Sequence, residues 1–281
     1  VSLDRKNPWD EWERVQEMAL GEHGESLTAI DFCNVEEGYP PKNVAGFFDA
    51  VKEFNQQHPE RALAILYHVG ESFNDKSLQS AIRWVQEAAE MGAHRLGHAI
   101  ALGVDPAMYG EHVRKERVSE RKDQIAYDLK HRDGLRKFGV DINDNALNDE
   151  LQKLAILPED SLVEIRYDAA AIDEVRRRQG YAIECVRATG AVVEICPTSN
   201  RRIAGITNPA YHPVHRFIAE NLPVVIASDD PGMFGITLQD ELDWVTQTVK
   251  DTSRLRDTLI SNAYHSRSEV LSDRESTDSR I

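Results

Sequence analysis

Short apolar runs that end in polar side chains recur along this chain, and helix-like segments separate them. The clearest run is Val224–Ser228, which Asp229, Asp230 and Pro231 follow directly. A run of this length and β-branched composition is typical of a buried strand of a parallel sheet, and Pro231 ends it. Because strands alternate with helices, the chain is predicted to adopt an α/β fold with a parallel sheet.

Polar residues collect at the carboxyl ends of five predicted strands, which cover residues 26–33, 61–68, 94–98, 191–196 and 224–228. The residues at these ends are Asp31 and Asn34, His68 and Glu71, His98, Thr198 to Asn200, and Asp229 with Asp230. Taken alone, each is more simply explained as a solvated turn or a satisfied histidine. Their shared position favours a site, because α/β barrels keep their chemistry at this edge of the sheet.

The stretch 104–190 interrupts the alternation. Residues 111–138 are dense in mixed charge, which is typical of a solvated helix, and Pro158 predicts a further helix that ends near Gly180. We therefore expect a largely helical insertion within a single domain, 1–281. A surface elaboration is the simpler interpretation, and a regulatory or oligomer-forming arm is the alternative.

Composition excludes several classes of partner. The formal net charge of −15 argues against nucleic acid and anionic membranes. Three cysteines are too few for a disulfide framework and favour a reducing compartment, so the cytoplasm is the predicted location. The chain contains no serine nucleophile elbow, no glycine-rich phosphate loop and no Cys-x-x-Cys pair.

The strand ends carry groups suited to a metal-assisted hydrolysis. His68 stands at a strand end, and Glu71 follows three residues later. Imidazole and carboxylate are natural zinc ligands, and a carboxylate just off the metal can carry a proton. His98 and Asp229 could converge on the same place.

Four motifs in order resemble the adenosine/AMP deaminase family of the amidohydrolase superfamily, and the residues of these motifs are most similar to its adenosine deaminase-like branch. They are His-Val-Gly-Glu at 68–71, Arg-Leu-Gly-His at 95–98, Glu-Ile-Cys-Pro-Thr-Ser-Asn at 194–200 and Ser-Asp-Asp-Pro-Gly-Met-Phe at 228–234. The resemblance covers about residues 29–234 without the insertion. It implies a TIM (β/α)8 barrel of the metallo-dependent hydrolase type.

The resemblance also implies a reaction, the hydrolytic deamination of a 6-aminopurine nucleoside such as adenosine, which yields the 6-oxopurine and ammonia. In this scheme His68 and Asp229 ligate one zinc ion, and zinc makes a bound water nucleophilic at neutral pH. His98 holds and deprotonates that water, and Glu71 donates a proton to ring N1.

Substrate contacts are implied for three residues. Asp230 would bond the purine near N7, and Asp31 and Asn34 would line the pocket. In the family a glycine stands where this chain has Asn34, so the fit of the substrate depends on that position.

The family's first strand supplies a His-x-His pair to the metal, and no His-x-His occurs in this sequence. The predicted strands correspond to the fourth through eighth of the barrel, so strands 1–3 are expected to be absent and five strands cannot close a barrel. We expect a carboxyl-terminal part that a companion polypeptide completes; the remainder could instead be disordered or removed. The alternatives to the enzyme are a metal-free, catalytically silent fragment that binds a purine or a partner, and an amidohydrolase for another C–N bond. Homo-oligomers stay open, and secretion is the alternative location because the branch has secreted members.

Overall fold

The structure, a computed structural model, describes residues 1–249 and 253–266. Within these residues the strands are β1 Ser2–Asp4, β2 Ala29–Cys33, β3 Ala64–Val69, β4 Arg95–His98, β5 His112–Arg117, β6 Leu162–Tyr167, β7 Val192–Ile195 and β8 Val224–Ile226. The helices are α1 Trp12–Leu20, α2 Ala45–Gln57, α3 Leu78–Met91, α4 Ile100–Gly103, α5 Val118–Lys130, α6 Arg132–Lys137, α7 Asp144–Ala155, α8 Ala169–Thr189, α9 Pro197–Ile203, α10 Val214–Ala219, α11 Pro231–Phe234, α12 Leu238–Val249 and α13 Ser253–His265. Short 3-10 turns cover Pro8–Glu11, Gly24–Ser26, Pro41–Val44, Pro59–Arg61, Pro106–Tyr109 and Pro209–Tyr211.

Six strands form one parallel sheet in the order β1-β2-β3-β4-β7-β8. The outer strands β1 and β8 do not pair with each other, so the sheet is an open part of an α/β barrel, as predicted. The predicted number of five strands is wrong by one, because β1 also belongs to the sheet. This strand has three residues, of which only the central Leu3 is buried, so it is too short for the alternation to be recognised in the sequence. The described part of the chain thus supplies six of the eight strands of such a barrel.

An aromatic cluster packs beneath the first strands of the sheet. Phe32 of β2 and Tyr67 of β3 lie against Phe47 and Phe48 of α2, with ring centroids 5.3–5.8 Å apart. All four side chains are at most 1% exposed. Burial of aromatic rings in these offset and edge-on arrangements stabilises the sheet, and it fixes the strands that end in the predicted site.

The stretch 104–190 contains a β-ribbon that the sequence analysis did not predict. β5 and β6 pair antiparallel, so the predicted helix is wrong over 112–117 and helix begins after Tyr167, not at Pro158. The alternation of buried and exposed residues is not visible in the sequence because both faces of the ribbon carry charge. Glu116 is completely buried, whereas its neighbour Lys115 points outward and pairs with Glu164 at 3.5 Å. The interpretation of this stretch as an insertion stays a prediction.

Helix α8 begins and ends for identifiable reasons. The Asp168 side chain accepts the N–H of Ala171 and caps its first turn, and Gly190, with φ 79°, ends it. Gly180 lies inside the helix instead of ending it, and a Cβ at this position would lie 3.2 Å from the Phe138 ring, so glycine permits close packing there. The helix packs against α3 and so connects β4 with β7 across the sheet.

Two observations concern the chemical environment of the described residues. All three cysteines are free; Cys196 is buried, and Cys33 and Cys185 are half-buried. Within 1–249 and 253–266 every helix is too short or too polar to cross a membrane.

Candidate active site

The carboxyl end of β3 presents a histidine paired with a carboxylate. Nδ1 of His68 lies 3.0 Å from Oδ1 of Asp31 on the neighbouring strand β2, and both side chains are half-buried. Burial alone would lower the pKa of His68, but the hydrogen bond to Asp31 and its charge raise that pKa above the usual value. A carboxylate on Nδ1 orients the ring and leaves Nε2 as the free ligand atom, which is the usual arrangement of metal-binding histidines. The assignment of Asp31 to the substrate stays a prediction.

The loop after β3 is held by a residue that the sequence analysis missed, Glu36. Its carboxylate accepts the N–H groups of Gly70, Glu71 and Ser72 at 2.7, 3.0 and 3.1 Å. Burial raises the pKa of Glu36, although the charge of the buried Lys76 opposes this. The only feature of the sequence that could have indicated this role is the position of Glu36, an acidic residue shortly after the end of β2. By binding three consecutive N–H groups, Glu36 fixes the backbone that carries Glu71.

Glu71 points from this loop toward His98. Its Oε2 lies 3.4 Å from Nε2 of His98, and its Oε1 is buried without a hydrogen-bond partner among the described residues. Burial, followed by the negative charge of Asp229, raises the pKa of Glu71 to about 7. A carboxyl group with this pKa can hold a proton at neutral pH and can therefore donate it.

His98 ends β4 in a buried and polar environment. It is 2% exposed, and its Nδ1 lies 2.9 Å from Nδ2 of Asn200, which follows β7. Its ring centroid is 5.1 Å from that of His68. Burial and the neighbouring His68 lower the pKa of His98 to about 4. The ring is therefore uncharged at neutral pH.

The carboxyl end of β8 contributes Asp229, which is exposed. The ligand atoms of His98, Cys196 and Asp229 all lie within 4.8 Å of one another. Cys196 was interpreted only as a core residue, but the end of β7 brings it to the site. Burial, the largest effect, raises the pKa of its thiol far above the usual value, so the sulfur is protonated at neutral pH. The exposed Asp230 begins the short helix α11, where its carbonyl accepts the N–H groups of Met233 and Phe234.

Strained backbone marks the same edge of the sheet. Asn34, His98, Ala99 and Asp229 have φ values of 74°, 65°, 47° and 55°. Such conformations cost roughly 1–3 kcal/mol each for non-glycine residues and cluster at functional sites. Asn34 thus has the conformation that glycine favours, and asparagine tolerates it better than most residues. The replacement of the family's glycine by Asn34 therefore preserves the backbone conformation that a glycine would adopt.

The end of β7 is supported from outside the sheet. Glu241 of α12 is 1% exposed and accepts the N–H of Thr198 with both oxygens, at 3.0 and 3.2 Å. The next two residues carry buried atoms without a partner among the described residues, Oγ of Ser199 and Oδ1 of Asn200. Together with Oε1 of Glu71 they leave three polar atoms at one place, which fits a polar ligand.

The donors at this edge fit part of a divalent metal site. His68 offers Nε2 and Asp229 a carboxylate, which are ligand types of catalytic zinc. His68 is not in the group of three whose ligand atoms lie within 4.8 Å, and catalytic zinc takes three protein ligands or more.

Comparisons with known proteins agree with the motifs. The sequence profile of the adenosine deaminase family matches residues 179–273. An aminodeoxyfutalosine deaminase of Acidothermus cellulolyticus is 31% identical over 106 residues, which cover 35% of this chain and 30% of that protein. An adenosine deaminase of Serratia proteamaculans is 22% identical over 219 residues, which cover 78% and 40%.

A solved structure has the same fold. The crystal structure of an adenine deaminase from Arthrobacter aurescens matches with a TM-score of 0.53 and 18% identity, over 94% of this chain and 54% of that one. The chain therefore spans about half of that structure and less than half of the two relatives. The match confirms the barrel type of the open sheet.

Proposed function

We propose that the strand ends of this chain, which is similar to the adenosine deaminases, form part of a site for hydrolytic deamination of a 6-aminopurine nucleoside. The observation that carries the proposal is the Glu71 carboxyl group. It is half-buried, its Oε2 lies 3.4 Å from Nε2 of His98, and burial and Asp229 raise its pKa to about 7. A proton donor of this kind is what activation of a purine ring nitrogen needs.

One zinc ion is the proposed cofactor, with His68 and Asp229 as its ligands from this chain. Asp31 supports this role for His68, since it occupies Nδ1 and leaves Nε2 free. When bound, zinc would lower the pKa of a water so that it is nucleophilic at neutral pH. Further ligands would come from outside this chain.

The remaining residues of the site would transfer protons and orient the substrate and the attacking water. Glu71 would donate a proton to ring N1, and Asp230 would bond the base near N7, beside Asn34. His98 would hold the attacking water and take its proton. The water oxygen bonds to C6, the C6–N bond breaks, and the amino group leaves as ammonia.

A companion segment that completes the barrel and brings a His-x-His pair is also proposed. Within residues 1–249 and 253–266, each of the outer strands β1 and β8 pairs on one side only. Large apolar side chains are exposed near both edges: Trp9 at 52%, Met18 at 47%, Ile260 at 51% and Tyr264 at 59%. Coverage of these side chains by a companion segment would remove apolar surface from water. The free cysteines support a reducing compartment such as the cytoplasm.

The open sheet favours one alternative, a catalytically silent relative that binds a purine without metal. The described sheet has six strands, and the sequence has no His-x-His. In that case the preparation would bind a purine nucleoside but release no ammonia.

The test begins with an intact-mass spectrum of the denatured preparation, which shows whether a second polypeptide accompanies the chain. Ammonia release is then measured with adenosine, AMP, adenine and aminodeoxyfutalosine, after addition of zinc. The proposal predicts a companion with at least two further βα units and ammonia from a nucleoside. A completed barrel that binds zinc but deaminates none of these compounds would contradict it.

A further inference from the structure

The two histidines of the site have chemically opposite partners on the same ring atom. Nδ1 of His68 faces a carboxylate oxygen of Asp31 at 3.0 Å. Nδ1 of His98 faces the carboxamide nitrogen of Asn200 at 2.9 Å. A carboxylate only accepts hydrogen bonds, and an amide nitrogen only donates them. The two rings, 5.1 Å apart, are thereby directed to different tautomers.

We propose that Asn200 is a positioning residue that selects the tautomer of His98. Because Nδ2 of Asn200 donates to Nδ1 of His98, the proton of the uncharged ring lies on Nε2, which faces Oε2 of Glu71 at 3.4 Å. In His68 the proton lies on Nδ1, and Nε2 carries the lone pair. The chemical consequence for His98 rests on the proposed function, whereas the tautomers themselves do not.

The surroundings of Asn200 suit this task. The residue is completely buried, and its backbone N–H donates to the carbonyl of Cys196 at 2.8 Å in the first turn of α9. The chain path thus holds the carboxamide against His98 while water is excluded. The other carboxamide atom, Oδ1, has no partner among the described residues, so the bond to His98 alone sets the orientation of the group and a half-turn breaks no bond at Oδ1.

A carboxamide carries a donor and an acceptor, and a half-turn exchanges them. After that turn Oδ1 accepts from Nδ1–H of His98: the Nε2 proton passes to the ionised Glu71 carboxylate that faces it at 3.4 Å, and a proton taken from solvent joins Nδ1. The ring stays uncharged, and Nε2 now has a lone pair toward Glu71. A residue that takes a proton from water needs this second tautomer. Asp31 offers His68 no such choice, so His98 is switchable and His68 is fixed.

The direct test is long-range ¹H–¹⁵N correlation NMR of the chain with ¹⁵N-labelled histidine at about pH 8, above the ordinary pKa of histidine. His98→Gln and His68→Gln identify the signals by their loss. We expect a protonated Nε2 in His98 and a protonated Nδ1 in His68. A protonated Nδ1 in His98 of the unmodified chain would overturn the proposal.

Two variants test the cause. Asn200→Asp offers only acceptor atoms, so the proton of His98 should move to Nδ1; Asn200→Leu removes the partner and should give a mixture of tautomers. The matched control is Asn208→Asp, the same chemical change at an exposed side chain that accepts the N–H of Ala210, and it should leave His98 unchanged. A spectrum of His98 that neither Asn200 variant changes would also overturn the proposal.

These measurements use neither substrate nor zinc, so their result is independent of the deaminase assay. If Asn200→Asp does not fold, the spectrum of the unmodified chain and that of Asn200→Leu decide the question.

Discussion

The two ends of β4 each carry a histidine, and the two residues behave differently. His94, just before the strand, accepts the N–H of Ile65 on Nδ1 at 3.0 Å and so completes the backbone bonding of β3. His98, at the carboxyl end, contacts only side chains through its ring nitrogens, and its backbone has a φ of 65°. One histidine completes the sheet, and the other is held in strain beside unpartnered polar atoms.

The same contrast extends across the whole sheet. At the amino ends, Asn55 bonds both the N–H and the carbonyl of Leu63, at 2.8 and 2.9 Å. A cavity of 480 Å³ lies there, lined by Asn55, His94 and their neighbours. Its volume would suit a ligand, yet these polar groups bond the backbone. Unsatisfied polar atoms and strained backbone, more than cavity volume, therefore identify the functional end of this sheet.

The largest expected effect is a loss of turnover on substitution at the carboxyl end of the sheet but not at its amino end. Glu71→Gln keeps the shape of the side chain but removes the proton that it donates. In the completed, zinc-loaded barrel we expect kcat to fall by roughly 10²- to 10⁴-fold, with metal content unchanged. The counterpart at the other end, His94→Gln, should lower stability and leave kcat intact. Loss of zinc in Glu71→Gln, or full turnover, would contradict the role of Glu71.

Metal binding should depend only on residues at the carboxyl ends of the strands. Asp229→Ala removes a proposed ligand, so the zinc content of the purified protein, measured by atomic emission, should drop. Asp243→Ala, which removes a carboxylate paired with Arg256 on the surface, is the control. Full zinc content in Asp229→Ala would remove Asp229 from the ligands.

A smaller effect concerns the support of the site. Glu36→Gln replaces an acceptor of three N–H groups by a side chain with a single acceptor oxygen, and it leaves the buried Lys76 with less compensation. We expect a loss of about 2–4 kcal/mol in the free energy of unfolding, measured with urea. The exposed Glu60→Gln should change it by less than about 0.5 kcal/mol. Equal stability of the two variants would show that the loop needs no anchor.

Glycine substitutions sharpen the comparison further. A Cβ at Gly97 would lie 3.1 Å from the His68 ring, whereas a Cβ at Gly46 of α2 would meet nothing within 4 Å. Gly97→Ala should therefore destabilise by about 1–3 kcal/mol, and Gly46→Ala should stabilise by about 0.5–1 kcal/mol. Thermal unfolding of both variants checks this. Similar shifts for the two would mean that the site is not tightly packed at Gly97.

A last expected effect, which is spread over more than two pH units, is a pH dependence of stability in the metal-free chain. The pKa of Glu71 is raised from 4.5 to about 7, so the folded state binds its proton more tightly than the unfolded state does. Its contribution is present below about pH 4.5 and is lost as the pH rises toward 7, with a slope of at most about 1.4 kcal/mol per pH unit. The difference in urea stability between the chain and Glu71→Gln should follow this curve. A difference that does not change with pH would contradict the raised pKa.

Much of this site could be predicted because its residues end strands with strong apolar runs. His68 and Asp229 follow apolar runs, His98 ends a short strand with a weaker pattern, and parallel strands bring their carboxyl ends together. The contacts among them could not be predicted, since they depend on side chains from distant segments. Glu36 acts through backbone N–H groups more than thirty residues away, and no local pattern marks such a contact. Asn200 was noted as polar, but its contact with His98 spans 102 residues.

The missed elements have a different cause. β1 is too short to show alternation, and its pairing with β2 gives it its structure. In the ribbon of β5 and β6, charged residues lie on both faces, Glu116 on the buried one and Lys115 on the outer one, so the sequence shows no alternation of apolar and polar residues. In both cases tertiary pairing outweighs local sequence preference.

The measurement that tests the central claim most directly is ammonia release from adenosine by the zinc-loaded, completed barrel and by its Glu71→Gln variant, side by side. The account predicts ammonia and a 6-oxopurine from the first and a loss of at least about 10²-fold in the second. Equal rates for the two proteins, with zinc bound in both, would contradict it.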